Sequence, residues 1–144
     1  MILEVTQYGN PILRQKGERI REISAEIKQL IADMFETMHH AQGIGLAAQQ
    51  VGRALQLAVI DISVVNEKDR PSFLEIDGKT ADPNSIMPLV LINPELKLSG
   101  ELTSSGEGCL SFPDIYGEIS RPGTVDVTAL NEKGEQMKFR CRGL

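Results

Sequence analysis

The constraint that most narrows the fold of this chain is a change of hydrophobic period. Between Ser24 and His40 the apolar residues fall at Ile27, Leu30, Ile31, Met34, Phe35 and Met38, the i, i+3, i+4, i+7 spacing of one buried helix face. Ser24 is placed to cap that helix. Lys28, Asp33 and Glu36 fall on the face expected to be solvated, and His39 and His40 fall in the last turn, where the helix dipole favours positive charge. Gly43 is the expected stop. Beyond it the helical period does not recur. Leu55–Ile62 and Leu89–Ile92 read as strands, and Glu95–Leu102 alternates with Leu96, Leu98 and Leu102 on one side. Val125, Val127 and Ala129 alternate inward, Asn131-Glu132-Lys133-Gly134 turns, and Met137, Phe139 and Cys141 alternate back, which predicts a hairpin. Asn66–Pro88 is polar and rich in Asp, Lys and Pro, a surface loop or an excursion around a short edge strand. A single long helix followed by short strands, with no repeat and no linker, predicts one α+β domain over residues 1–144, the helix packed on antiparallel β-strands.

Charge and apolar runs remove whole classes of function. Fifteen basic against twenty acidic residues give a net charge of −5, the wrong sign for a protein that grips a nucleic-acid backbone. The apolar run Pro88-Leu89-Val90-Leu91-Ile92 is far too short to span a bilayer, and Met1-Ile2-Leu3-Glu4-Val5 lacks the charged start of a signal peptide. The expected address is the cytoplasm, with neither membrane nor nucleic acid as a partner. Two cysteines, Cys109 and Cys141, do not make a disulfide framework.

Two segments are unlike ordinary packing. In Gly43-Ile44-Gly45-Leu46-Ala47-Ala48-Gln49-Gln50, glycines followed by small residues suggest a backbone that something approaches closely. The segment also reads as a helix stop leading into a small-residue core strand. A phosphate-binding loop would need the helix after the glycines, not before them. The second segment is Glu107-Gly108-Cys109-Leu110-Ser111. Its cysteine could be a buried small hydrophobe, a nucleophile or a metal ligand. A nucleophile needs an imidazole base, and the sequence offers His39 and His40 alone. Adjacent residues near a helix end point about 100° apart, which argues against both reaching one ion.

Taken together, in this order and about sixty residues apart, the two segments resemble the signature motifs of the peptide deformylases. The first motif has the form G-φ-G-φ-A-A-x-Q and fits Gly43–Gln50 at every fixed position; the second, E-G-C-L-S, stands verbatim at Glu107–Ser111. Tyr8-Gly9-Asn10-Pro11-Ile12-Leu13-Arg14, Ile92-Asn93-Pro94 and Arg121-Pro122 extend the resemblance over essentially the whole chain. The resemblance implies hydrolysis of the formyl group from the N-terminal formyl-methionine of nascent polypeptides, near the ribosome. It implies Fe2+, with Zn2+ or Ni2+ as substitutes, and Cys109 as a ligand. Gln50 and the Leu110 N–H would stabilise the oxyanion, Gly45 would pair with substrate backbone, and Ile44 would line the methionine pocket. Glu107 and Arg121 would form a supporting ion pair. The family's third motif, H-E-x-x-H on a helix, supplies two imidazole ligands and the general base, and no H-E-x-x-H occurs in this sequence. The expectation is a chain cut before its catalytic helix, with weak metal binding and little turnover by itself. The alternatives are a shortened paralogue that binds formyl peptides without chemistry, or a structural protein on the same fold. A missing helix would leave an apolar trough beside Cys109 and Leu46, and with it a tendency to self-associate.

Overall fold

The computed structural model describes the chain apart from residues 8, 64–72, 77–78, 110–111 and 143–144, and describes the backbone alone at 73, 83–84, 100–109, 112–123 and 142. Helix α1 runs Ala25–His40 with Ser24 as its N-cap, the Ser24 hydroxyl accepting from the Ile27 N–H at 3.3 Å. Its end differs from the expected glycine stop. The left-handed residue is Gln42 (φ 58°), not Gly43. The Gln42 N–H donates to His39 C=O at 3.1 Å and the Gly43 N–H to Met38 C=O at 2.9 Å. These are the paired bonds that close a helix through a left-handed residue, and here glutamine holds that position. The glycine is thereby released to the segment that follows.

Among the described residues seven strands form one sheet, in the order β1-β2-β5-β6-β7-β3-β4. They are β1 Gly45–Ala47, β2 Leu57–Ile60, β3 Phe73–Ile76, β4 Lys79–Thr80, β5 Leu89–Cys109, β6 Phe112–Leu130 and β7 Gln136–Arg142. Every neighbouring pair is antiparallel. The expected C-terminal hairpin is β6–β7, where the Asn131 side chain accepts from the N–H groups of Lys133 and Glu135, and Gly134 takes φ 80°. The described part of the excursion before Pro88 holds two short strands, β3 and β4, and a 3-10 turn at Pro83–Ile86, with β3 docked on β7 at the far end of the sheet.

The apolar stripe of α1 behaves as its spacing requires. Ile27, Leu30, Ile31, Met34 and Met38 pack with Leu46, Leu57, Val59, Val90 and Ile92 into one buried cluster. Asp33 departs from the expected solvated face and is buried. The N-terminal segment lies along the helix and covers it: the Met1 ammonium contacts Asp33 at 2.8 Å and Glu36 at 2.7 Å, and the Leu3 N–H donates to the Thr37 hydroxyl at 2.8 Å. The ammonium, together with Gln29, holds the Asp33 carboxyl below its ordinary value. Two close approaches fix the segment that precedes α1. Gly17 passes so near the Leu55 backbone that a Cβ would lie 2.7 Å from its carbonyl carbon. Buried Asn93 accepts from the Ile20 N–H at 2.8 Å and donates to the Ile20 C=O at 2.7 Å, satisfying both main-chain groups of one buried residue.

Asn93 also resets the sheet. The partner of Ile92 is Leu130 and that of Glu95 is Thr128, so β5 spends one extra residue at Asn93–Pro94, where Asn93 takes φ 51°. Such a bulge swaps which residues share a face. Val90 and Ile92 face α1, whereas Leu89 and Leu91 belong to a second cluster with Val127 and Ala129. After the bulge, Leu96 and Leu98 fall on the side of Leu89 and Leu91, opposite Val127 and Val125. The α1 side of these strands then carries a cross-strand row of alternating sign, Lys97, Asp126, Arg140 and Glu75.

Candidate functional site

The glycine-rich segment leaves α1 and becomes β1, a strand of three residues at one end of the sheet. Among the described residues no strand pairs with its outer edge. The register Gly45↔Ile60 and the bond from the Asp61 N–H to the Ile44 C=O at 2.9 Å fix the phase of the ladder. Residues 44 and 46 turn their main-chain groups toward β2, so Gly45 and Ala47 turn theirs to the outer edge. Gly45 meets no internal demand for a missing side chain. A Cβ there would find its nearest atom, the Val59 carbonyl oxygen, at 3.8 Å, an ordinary contact. What the glycine provides is an edge that another backbone can approach without a side chain in the way. Ile44 stands half-buried beside it.

Beyond β1 a single 3-10 turn, Ala48–Val51, carries Gln50. The Ala47 N–H, which the phase directs outward, donates to Gln50 Oε1 at 3.0 Å. This bond assigns the two ends of the amide: the oxygen faces Ala47 and the Nε2 donor is turned the other way. The turn is held from outside by Thr6, whose N–H donates to Gln50 C=O at 2.7 Å and whose hydroxyl donates to Gln49 C=O at 3.0 Å. Sequence reading does not reach Thr6, because its contact spans more than forty residues and no motif contains it.

At the other end of β1, His39 and Asp61 form a pair that sequence reading also misses. His39 Nε2 lies 3.1 Å from Asp61 Oδ2, and the His39 ring stacks on Phe35 with centroids 6.2 Å apart. The Asp61 carboxylate also accepts from the Ser63 N–H at 2.9 Å. Burial pushes Asp61 upward, and the bonds from Ser63 and His39 outweigh it, so the carboxyl sits below its ordinary value. His39 is therefore engaged with a carboxylate at an exposed position, and His40 is exposed as well.

The second motif is described in its backbone. Cys109 ends β5 opposite Phe112, Glu107 stands opposite Gly117, and Arg121 opposite Thr103. Leu110 lies outside the described residues, as do the side chains of Glu107, Cys109 and Arg121. Leu46, expected beside an open trough, is instead buried in the α1 cluster, because the phase of β1 turns it under the helix. Among the described residues no three His, Cys, Asp or Glu side chains come close enough to hold a metal ion. An open groove of about 610 Å³ lies along residues 18–22 with Ile27 and Leu55, away from both motifs.

Comparison with known proteins gives a consistent answer. The family model for polypeptide deformylase matches residues 2–144. A peptide deformylase of Methylacidiphilum infernorum is 45% identical over 143 residues, covering 99% of this chain and 74% of the relative. Among solved structures, a peptide deformylase of Synechococcus elongatus in complex with actinonin superposes with a TM-score of 0.81 at 36% identity, covering 99% of this chain and 66% of the other. That of Thermotoga maritima superposes with a TM-score of 0.80 at 30% identity, covering 99% and 83%. The chain thus spans between two thirds and about four fifths of the length of these relatives.

Proposed function

This chain belongs to the polypeptide deformylase family, and from that premise we propose that it serves to remove the formyl group from N-formyl-methionyl ends of newly made polypeptides. The observation that carries the reading is the edge of β1, where the Gly45 main chain faces outward within a few residues of the Gln50 amide. An extended peptide adds to such an edge as a further strand, its main chain bonded to Gly45, while alternate side chains go to pockets. Ile44 contacts the methionine side chain in this reading. Water attacking the formyl carbon places negative charge on the formyl oxygen. The Gln50 Nε2 group and the Leu110 N–H are the donors assigned to it, each typically worth about 10²–10³ in rate. Holding Gln50 through Ala47 and Thr6 fixes its donor before substrate arrives.

A ferrous ion, with zinc or nickel as substitutes, would supply the activation of that water, and Cys109 is the residue of this chain that would hold it. One thiolate is short of the three protein ligands of an open catalytic site. The two imidazoles and the acid–base carboxylate of an H-E-x-x-H helix are not among these 144 residues, and Glu107 with Arg121 are assigned to support of the cysteine strand. No helix among the described residues is long and apolar enough to cross a membrane, and the reading places the chain in the cytoplasm, where formylated ends leave the ribosome.

Titration with a formyl-methionyl peptide tests the site, watched through the Gly45 and Gln50 amide resonances. Both should shift on binding, and undisturbed resonances at both would remove the basis of the reading. Formate release by the 144 residues alone should be negligible, should return when the chain is extended by an H-E-x-x-H helix, and should be lost again in Cys109→Ala of the extended protein. Turnover by the 144 residues at about 1–10³ s⁻¹ would overturn the assignment of the ligands.

A further inference from the structure

We propose that His39 and Asp61 are positioning residues for the peptide substrate: their pair sets where the outer edge of β1 stands, and so governs binding without entering the chemistry. The inference rests on the reading that Gly45 receives substrate backbone. β1 is three residues long and has a neighbour on one side only among the described residues. A short edge strand of this kind is weakly fixed by its own ladder. Its start is fixed through Asp61. The Asp61 N–H holds the Ile44 C=O at 2.9 Å, and the Asp61 carboxylate holds His39 in the last turn of α1 at 3.1 Å.

One residue therefore bonds to both ends of the connection from α1 to β1. Ser63 donates to the same carboxylate at 2.9 Å, and Phe35 stacks on the imidazole, so neither partner is free to swing. The Gln42–His39 and Gly43–Met38 bonds close the helix. They fix the helix end, whereas the His39–Asp61 bond fixes the distance from that end to the tip of β2. Displacement there moves Gly45 in or out along the path of an incoming peptide. Misplacement of a binding group by fractions of an ångström registers as lost affinity well before it registers as unfolding. Gln50 is anchored separately through Ala47 and Thr6, so the oxyanion donor is expected to keep its place when the pair is broken.

The test is steady-state kinetics of the full-length protein on a formyl-methionyl tripeptide, with His39→Ala, Asp61→Asn and both together. Asparagine keeps an acceptor for the Ser63 N–H and removes the charge. KM should rise about twofold to fivefold in each single variant, the range open to a partly exposed hydrogen-bonded pair, with kcat unchanged. The double variant should be no worse than either single one. His39→Lys, which again offers Asp61 a hydrogen-bond donor, should bring KM back. A KM unchanged in both single variants, or a kcat that falls at constant KM, would overturn the proposal. Absence of turnover and of peptide binding in the unsubstituted protein would strike at the functional reading instead. Hydrogen exchange of the Leu46 and Asp61 amides then decides the positioning role: faster exchange in His39→Ala supports it, and an unchanged rate defeats it.

Discussion

The two faces of the sheet are built from the same strands and have met different fates. On one face α1 lies over Leu46, Leu57, Val59, Val90 and Ile92, and Met34 and Met38 beneath it are 0% exposed. Where α1 ends, that face turns polar, with Lys97, Asp126, Arg140 and Glu75 in register across four strands. Among the described residues the other face carries an apolar cluster, from Leu89 and Leu91 through Val127 and Ala129 to Met137 and Phe139. Yet Leu96 and Leu98 on it are 61% and 57% exposed. An antiparallel sheet normally leaves its polar face to water. Adjacent exposed apolar residues of this kind are a place where association can begin.

The sharpest way to break this comparison is to truncate one residue on each face. Met34→Ala should cost about 2–5 kcal/mol in urea denaturation, because it empties a site that touches nothing but protein. Leu98→Ala should stay within about 0.5 kcal/mol, as an exposed substitution does. Equal losses would mean that the far face is as closed as the near one. Next in size is association. Replacing Leu96 and Leu98 together by lysine should shift the 144-residue chain toward monomer in sedimentation velocity and leave its melting temperature within a few degrees. An unchanged distribution would place any self-association elsewhere.

The smallest effect belongs to the charged row. Arg140 donates to Asp126 at 2.6 and 3.2 Å and holds its carboxyl below the ordinary value. A carboxyl depressed in the folded state contributes stability that is present above its unfolded value and is lost as pH falls through its folded value. Arg140→Leu should therefore leave a shallower loss of stability below about pH 4, read from urea midpoints between pH 5 and pH 2. The difference should be small because the pair is exposed. A steeper acid loss in the variant would reverse the assigned sign.

How much of the site was legible follows from the range of each interaction. Gly45 and Gln50 stand in one contiguous segment, and its spacing from the cysteine motif is read directly along the chain. Thr6 and Asp61 could not be read. Each acts through contacts to residues far along the chain, more than forty positions for Thr6 and Gln50 and twenty-two for Asp61 and His39, and neither carries a pattern of its own. Asp33 shows the same limit inside a helix. Its position on the wheel is solvated, and only the fold lays the N-terminal segment across it.

By itself the sequence determined the periods, because 3.6 and 2 are properties of the backbone and apolar residues must follow them to be buried. The helix over Ala25–His40, the β6–β7 hairpin and the two motifs all rest on such local rules. Only the tertiary structure decided which side of the sheet each strand turns inward. Leu89, Leu91, Leu96 and Leu98 share one face although an odd and an even pair cannot do so on a regular strand. The bulge at Asn93 makes it possible, and Asn93 is held there by Ile20, more than seventy residues earlier. A one-residue shift carries almost no signal in composition, but it inverts every side chain after it. That inversion, set by a contact between distant residues, carried Leu96 and Leu98 to the side of Leu89 and Leu91 and gave the other face its charges.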